Sequence, residues 1–273
     1  WLDGVLVAGH YSAGFSTIDA SGSTVGNGTV LSAGLEVSSV TTVSNAPFGS
    51  GFLLGRPGGD AGSTRIDWYS AGQLYPGEFG AMIGFASGAI EAIDGDSTHI
   101  YISPTDSRFD DLGKSILEGV VSADGSVEWT EEWTFGINTI KNILLDGDSL
   151  WITTADLGLW KLDLMTRQMA LVPAGLSTNL DDMHVDGDSL ALGMAAGVGA
   201  ASGVQLINIS SSQWGAGRFI PGMLSNVIND AVVHNLRTWF ATPSGVAVWN
   251  NSIGFWEESL TVANGLPTPI VDQ

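Results

Sequence analysis

The 273-residue chain contains no cysteine. Disulfide bonds and thiolate metal sites are therefore excluded, whereas the redox compartment stays open. Basic residues are scarce too: 9 Lys and Arg stand against 29 Asp and Glu, which gives a formal net charge of −20. Because so acidic a surface repels nucleic-acid phosphates and anionic lipid head groups, we expect neither nucleic acid nor a membrane surface as a partner.

Long apolar runs and helical periodicity are also missing. No apolar stretch reaches the roughly 18 residues of a membrane helix, so we expect no membrane insertion by this segment. Short alternating runs bounded by Gly, Asn, Asp and Ser occur throughout, and 37 glycines accompany 44% hydrophobic residues. This composition indicates a compact all-β protein. We expect a single domain over residues 1–273, and the start at Trp1 suggests a part of a longer protein.

A four-residue motif recurs three times. Asp146-Gly147-Asp148-Ser149 lies between two strand-like runs, and the same letters return at residues 94–97 and 186–189. Asp-Gly is a preferred hairpin turn, so the copies predict one repeated hairpin. Calcium binding is the alternative because carboxylate oxygens bind hard cations, but each copy lacks the further carboxylates of a calcium loop. We predict no cofactor, with calcium as that alternative.

The clearest repeat unit spans residues 138–172. We predict four antiparallel strands in it, at residues 139–145, 150–154, 158–163 and 168–172. Four such strands joined by tight turns form one blade of a β-propeller. Two further units follow at residues 182–214 and 229–258. Upstream, unit three includes strands at 99–103, 116–122 and 127–133, unit two has inner and third strands at 51–55 and 63–68, and unit one has strands at 3–8, 14–18 and 23–30.

The two ends of the chain complete one another in the repeat pattern. If Gln273 is read on into Trp1, residues 272–273 and 1–4 align with residues 182–187. The chain then holds about six blades, with seven as the alternative count. A ring closed by pairing of the two termini would leave no exposed sheet edge, and a segment of a longer array would show the same pattern.

The second half of the chain resembles a known repeat. Its motifs are the connector at 175–179, the turn Asp186-Gly187, the run at 150–154 and the segment 158–160; residues 224–226, 239–242, 244–246 and 265–267 match again. These residues are similar to the two-component-regulator propeller repeat over 138–273. The resemblance implies a propeller that often forms the extracytoplasmic sensor part of membrane-bound histidine kinases, and that also occurs in secreted and surface proteins. An extracytoplasmic location is therefore expected.

One position of the inner strands carries side-chain oxygens in several units. Asp182, Asp230 and Asp272 each lie four residues before a hairpin turn, and Asn142 holds the same place in unit four. Such a ring around the propeller channel is either a solvated lining or a weak candidate for a cation site. We assign no metal site.

The binding residues are expected on the loop face. In a propeller, the loops between second and third strands and the interblade connectors gather around one channel mouth, and loops on a rigid scaffold concentrate binding residues. An unconstrained surface loop is the plain alternative. On this topology the face collects Tyr11, Arg56, Asp60, Asp106, Arg108, Asp110, Asp111, Asn179 and Asn226.

Three functions remain open, and the first is favoured. The first is a non-catalytic propeller that binds a protein, peptide or glycan as a module of an extracytoplasmic, surface or sensor protein. The second is a polysaccharide hydrolase or lyase that uses an aspartate of the 106–111 loop with Arg56 or Arg108. The third is a structural spacer. No Ser-His-Asp order or phosphate loop is present, which favours binding over catalysis.

Overall fold

The fold was analysed in a computed structural model. It describes residues 5–10, 14–19, 39–46, 49–55, 66–70, 73–75, 90–104, 115–122, 126–134, 140–173, 179–194, 203–214, 227–234, 236–250, 252–253, 255–257, 259–264 and 266. In these ranges the chain forms β-strands, tight turns and a short 3₁₀ helix at Val262–Asn264. Within them, no helix is both long and apolar enough to span a bilayer.

Five four-stranded antiparallel sheets follow one another along the chain. In each, the strands are hydrogen-bonded in sequence order. Blade 2 contains β3 (Ser39–Ala46), β4 (Gly49–Gly55), β5 (Ile66–Ser70) and β6 (Gln73–Tyr75); blade 3 contains β7 (Ile90–Gly95), β8 (His99–Pro104), β9 (Ser115–Val121) and β10 (Val127–Thr134). Blade 4 contains β11 (Ile140–Asp146), β12 (Ser149–Thr154), β13 (Leu159–Asp163) and β14 (Gln168–Leu171). Blade 5 contains β15 (Leu180–Asp186), β16 (Ser189–Met194), β17 (Gly203–Asn208) and β18 (Gln213–Trp214), and blade 6 contains β19 (Asp230–His234), β20 (Arg237–Thr242), β21 (Gly245–Asn250) and β22 (Phe255–Trp256).

The first unit is a hairpin in the described residues. It consists of β1 (Val5–His10), which pairs with β2 (Gly14–Asp19) and lies beside β3. The all-β propeller prediction is therefore confirmed, but the predicted count of six or seven blades differs from the five complete blades found. The strand predicted at 23–30 and both chain ends lie outside the described residues, so closure by the termini stays a prediction.

Blade 2 corrects one strand assignment. The sequence predicted residues 51–55 as its inner strand, whereas β4, which contains them, is the second strand. The inner strand is β3, a polar run with the sequence SVTTVSNA. It was missed because an inner strand lines the channel with one face and therefore needs fewer apolar residues than a strand packed between two blades.

The second strands are sandwiched between neighbouring blades. In both β8 and β12, all five residues after the first are buried. Trp151 of β12 and Trp239 of β20 occupy the same register position and are 0% and 3% exposed, which confirms their predicted packing role. Because each buried side chain of this size contributes roughly 2 kcal/mol or more, the second strands contribute strongly to the packing between blades.

The apolar core consists of clusters that lie between blades. Leu53 and Trp68 of blade 2 pack with Ile100 of blade 3 in one cluster. Tyr101 of blade 3 packs with Ile152 of blade 4 in another. Similar clusters join blade 4 to blade 5 and blade 5 to blade 6. Blades 3, 4 and 5 therefore each have both faces covered by neighbouring blades.

A threonine closes the loop after the second strand in two blades. Thr154 Oγ1 donates to the carbonyl oxygen of Gly158 at 2.8 Å, and Thr242 Oγ1 donates to that of Gly245 at 2.8 Å. Both glycines have positive φ, +83° and +127°, which side chains disfavour. This contact explains why Thr and Gly recur at these places in the repeat motif.

The motif copies at 146 and 186 form two-residue hairpin turns, as predicted. Asp146 pairs with Ser149 and Asp186 with Ser189, so glycine and the second aspartate are the central residues. Gly147 and Gly187 have φ of +56° and +59°. A glycine with positive φ at the first central position is typical of a type II′ turn, so the turn is Gly-Asp and not the expected Asp-Gly.

Candidate functional site

The inner strands β3, β7, β11, β15 and β19 follow one another side by side and line a cavity of about 340 Å³. This volume is at the lower end of the range for small-molecule sites. Val40, Phe52 and Ile93 contribute apolar surface to it. Its polar lining comes from Thr41, Thr42, Asp94, Asn142, Asp182, His184 and Asp230.

The predicted position of side-chain oxygens is confirmed in three blades. Asn142 pairs with Thr153, Asp230 pairs with Ala241, and Asp182 lies at the matching bulge of β15. All three line the cavity. Val40 of blade 2 and Ala92 of blade 3 occupy the corresponding position of their inner strands. At this position blades 4 to 6 therefore carry side-chain oxygens, whereas blades 2 and 3 carry apolar side chains.

The described residues contain no group of three or more His, Cys, Asp or Glu that could hold a metal ion. Asp182 is 3% exposed, whereas Asp230 is only partly buried. Asp272 lies outside the described residues. The cation alternative for these aspartates therefore stays a prediction.

The motif copy at 94 differs from the other two. Asp94 pairs with Tyr101 and Gly95 with Ile100, so both continue β7 instead of forming the turn. The turn lies two residues later, closed by the Asp96 N–H, which donates to the His99 carbonyl at 2.8 Å. The prediction of three equivalent turns is therefore wrong for this copy. Asp94 takes the position that Leu144 holds in blade 4.

This displacement places a carboxyl on the cavity wall. Thr41 Oγ1 donates to Asp94 Oδ1, and the Leu145 N–H donates to Asp94 Oδ2 at 2.7 Å. Thr41 belongs to blade 2 and Leu145 to blade 4, so Asp94 connects three inner strands. Loss of hydration raises the pKa of Asp94, although the hydrogen bonds from Thr41 and Leu145 oppose the rise.

Side-chain oxygens accept hydrogen bonds from backbone N–H groups of the inner strand β11. The Ile143 N–H donates to Asn142 Oδ1 at 2.7 Å, and the next such amide, Leu145 N–H, is the one that Asp94 accepts. An inner strand has one edge with no strand partner, and its buried N–H groups need acceptors. Asn142 and Asp94 thus stabilise the inner strand β11 as well as lining the cavity.

Asp96 shows the opposite behaviour two residues away. Its Oδ1 accepts hydrogen bonds from Thr98 N–H at 2.6 Å, from the Thr98 hydroxyl at 2.7 Å and from His99 N–H at 2.8 Å. Partial burial raises the pKa of Asp96, but these hydrogen bonds outweigh it and the pKa is lowered overall. The Asp96 carboxylate therefore closes the displaced turn of this motif copy.

A second titratable cluster joins blade 3 to blade 4 near the outer strands. Glu118 of β9 is 2% exposed and accepts a hydrogen bond from the Tyr101 hydroxyl at 2.8 Å. Arg167, in the turn before β14, donates from Nη1 to Glu118 Oε2 at 2.8 Å and lies over the Trp133 ring. Burial, followed by the bond to Glu118, raises the pKa of Tyr101. The buried carboxylate is therefore matched by a cation from the neighbouring blade.

Asn179 is the predicted loop-face residue that the structure describes. It directly precedes β15 and is partly exposed. It lies at the end of the propeller where β12 leads into β13, opposite the turns at 146 and 186, as the topology predicted. The other predicted residues lie outside the described residues: Tyr11, Arg56, Asp60, Asp106, Arg108, Asp110, Asp111 and Asn226.

The sequence reasoning missed Asp94 as a channel residue. A signal was present in the spacing. Leu150, the first buried residue of its second strand, lies four positions after Asp146, whereas Ile100 lies six positions after Asp94. The two additional residues displace the turn, and this could have been read from the apolar pattern alone.

Comparison with known proteins supports the architecture. No family model matches the chain, and no curated protein sequence is similar to it. Among solved structures, the computationally designed Ika8 protein aligns with a TM-score of 0.51 at 12% identity, over 98% of this chain and 86% of that one.

Two natural structures from B. thetaiotaomicron are also similar. The extracellular domain of the putative one component system BT4673 aligns with a TM-score of 0.54 at 18% identity, over 83% of this chain and 28% of that one. The extracellular domain of the putative hybrid two component system BT3049 aligns with a TM-score of 0.51 at 14% identity, over 82% and 30%. This chain thus spans less than a third of either domain. At these identities the likeness shows a shared propeller fold.

Proposed function

We propose that this chain is a non-catalytic binding module of an extracytoplasmic sensor or surface protein, with a protein, peptide or glycan as its ligand. The observation that carries the proposal is the cavity of about 340 Å³ among the inner strands, with apolar groups and carboxylates on its wall. The fold similarity to extracellular domains of one component and two component systems supports the location. The net charge of −20 favours ligands with basic or neutral surfaces.

The ligand is proposed to enter at the loop face. Asn179 lies at that end of the propeller, and the loop of residues 105–114 starts and finishes there because it connects β8 to β9. This loop contains Arg108 and Asp110, a cation and an anion that suit a polar ligand. Tyr11, Arg56, Asp60, Asp106, Asp111 and Asn226 complete the proposed set.

The test is a thermal-shift screen with glycans and basic peptides, and with calcium alone as a separate sample. A ligand present at about 100 times its Kd should stabilise the wild-type protein by about 2.7 kcal/mol. Arg108→Ala, Asp110→Ala and Asn179→Ala should reduce that stabilisation. Asp148→Ala is the matched control, because Asp148 is exposed in a turn at the opposite end.

Three outcomes would contradict the proposal. Release of product from a stabilising glycan would show an enzyme. Stabilisation that Asp148→Ala reduces as strongly as Arg108→Ala would place the ligand away from the loop face. Absence of stabilisation by every compound would favour the structural spacer.

A further inference from the structure

The cavity among the inner strands is polar on one side and apolar on the other. Asn142, Asp182 and Asp230 give blades 4, 5 and 6 a side-chain oxygen at one position of the inner strand. Val40 occupies that position in blade 2, and Phe52 of the adjoining strand β4 adds a second apolar side chain to the lining. A ligand that fills this cavity therefore needs a polar end and an apolar end.

Negative charge prevails in the described lining of the cavity. It includes the aspartates Asp94, Asp182 and Asp230, and none of the described lining residues is Lys or Arg. His184 also lines the cavity, but histidine is ordinarily neutral above pH 7. Because carboxylates that share a cavity repel one another, a bound cation would relieve this repulsion.

One carboxylate oxygen of Asp182 provides a separate observation. Asp182 is 3% exposed and has other interactions, but its Oδ1 atom is buried and receives no hydrogen bond from the described residues. A buried carboxylate oxygen without a donor is costly, and such oxygens nearly always have one. Because Asp182 lines the cavity, a ligand bound there can supply the donor.

Asp230 lies beside Asp182 in the ring. Their strands β15 and β19 are neighbours, and the two aspartates occupy the matching position of each strand. The described residues contain no group of three or more acidic or histidine side chains that could hold a metal ion. An ammonium group donates three hydrogen bonds to separate acceptors, so it suits this pair of carboxylates better than a metal ion does.

We propose that the cavity binds a primary ammonium group carried on a short apolar chain, such as an alkylamine or a lysine side chain. The ammonium lies between Asp182 and Asp230 and donates to Asp182 Oδ1, and the apolar chain extends towards Val40 and Phe52. This inference rests on the proposed binding function, because it names the chemical class of ligand that the same cavity takes.

Three probes of equal chain length test the charge: n-pentylamine, 1-pentanol and pentanoate. Their affinities are measured by isothermal titration calorimetry at pH 8, where alkylamines are charged and histidine is ordinarily neutral. We expect the amine to bind at least about tenfold more tightly than the alcohol, because its hydrogen bonds to carboxylates are charge-assisted, and we expect pentanoate not to bind. Equal affinities for the amine and the alcohol would overturn the proposal.

Methylamine tests the apolar side of the cavity. It keeps the ammonium but lacks the chain that reaches Val40 and Phe52, so it should bind at least about tenfold more weakly than pentylamine. Equal affinities for the two amines would contradict the apolar half of the site.

Asp182→Asn and Asp230→Asn locate the ammonium. Each amide keeps the shape of the side chain and removes its charge, so each variant should bind pentylamine at least about tenfold more weakly than the wild type. Asp148→Asn is the matched control because Asp148 is exposed in a turn, and it should bind as the wild type does. An equal loss in Asp148→Asn would show attraction by the acidic surface in general and overturn the site. Asp230 is only partly buried, so its variant serves if Asp182→Asn does not fold.

A tripeptide with a central lysine and its norleucine counterpart distinguish a peptide ligand from a free amine. Tighter binding of the lysine peptide than of pentylamine assigns the ammonium to a peptide, and the reverse assigns it to a free amine; both results support the proposal. If a neutral glycan stabilises the wild type and both cavity variants equally while no amine binds, the ammonium site is wrong and the proposed function stands. If no amine and no compound of the thermal-shift screen binds, both are wrong.

Discussion

The same four-residue sequence, Asp-Gly-Asp-Ser, has different structural roles in two regions of the molecule. In blades 4 and 5 they form the turn between the first two strands, with Gly147 and Gly187 in the left-handed region. In blade 3 the first two residues remain in β7, and Asp94 reaches both neighbouring blades. A motif that marks a turn in one blade is thus a contact between blades in another.

The difference comes from the apolar pattern that surrounds the motif. Ile93 and Ile102 face one core cluster, and their counterparts in blade 4, Ile143 and Ile152, face the next one. A shift of two residues keeps every side chain on its original face, whereas a shift of one residue would reverse the faces. The burial of these residues therefore determines how the first and second strands of a blade pair. The turn forms at the residues that remain unpaired between these strands.

The largest expected effect compares the glycines of the motif. A Cβ on Gly95 would collide with the His99 carbonyl oxygen and lie 3.0 Å from Ile100 Cα, both of which are backbone atoms that cannot move aside easily. A Cβ on Gly147 would meet nothing within 4 Å, and only the φ of +56° opposes it. We expect Gly95→Ala to cost about 3 kcal/mol and Gly147→Ala about 1 kcal/mol of unfolding free energy.

Urea denaturation of the two variants measures this comparison. Gly187→Ala is the control for Gly147→Ala, since Gly187 has φ of +59° and similarly open space. Equal losses at positions 95 and 147 would show that the copies are equivalent turns after all.

The next effect concerns the outer contact between blades 3 and 4. Arg167 and Ser212 precede the fourth strands of blades 4 and 5, with φ of +59° and +53°. Arg167→Ser therefore introduces into blade 4 the residue type that blade 5 has at the same position. The substitution also removes the cation that pairs with the buried Glu118. Because Arg167 is 42% exposed and water can partly replace it, we expect a loss of about 2 kcal/mol.

Arg237→Ser is the matched control for Arg167→Ser. Arg237 pairs with Glu257 at 2.8 Å, but both side chains are about one-third exposed, at 34% and 30%. Its loss should be within about 1 kcal/mol in thermal or urea unfolding. A larger loss at 237 than at 167 would contradict the importance of the blade 3 to blade 4 contact.

The smallest expected effect compares the turn residue Asp188 with Asp94, because the pKa values of their carboxyl groups shift in opposite directions. Hydrogen bonds from Ser210 and then Asn208 lower the pKa of Asp188. Its stabilising contribution is therefore present above pH 3.8 and is lost as the pH falls through the lowered pKa. Urea midpoints between pH 2.5 and 6 should converge for wild type and Asp188→Asn at the acid end; a gap that widens there contradicts this assignment.

Much of the architecture could be predicted from local pattern. The alternating runs predicted the strands of blades 4 to 6 and three of the four strands of blade 3, and the connector spacing predicted the shared position of Asn142, Asp182 and Asp230. The polar inner strand β3 was not found, since channel lining removes the apolar signal on one face. The loop-face set could be placed at one end by topology, but its contacts depend on how distant loops approach one another.

The sequence by itself determined the repeat and the second strands of blades 3 to 6, because a strand packed between two blades must be apolar along its length. It also determined that glycine stands where the turns require positive φ. Only the tertiary structure decided which hydrogen-bond donors reach the aspartates that line the cavity. Asp94 acquires its role from Thr41 and Leu145, 53 and 51 residues away, and such partners are set by the packing of whole blades.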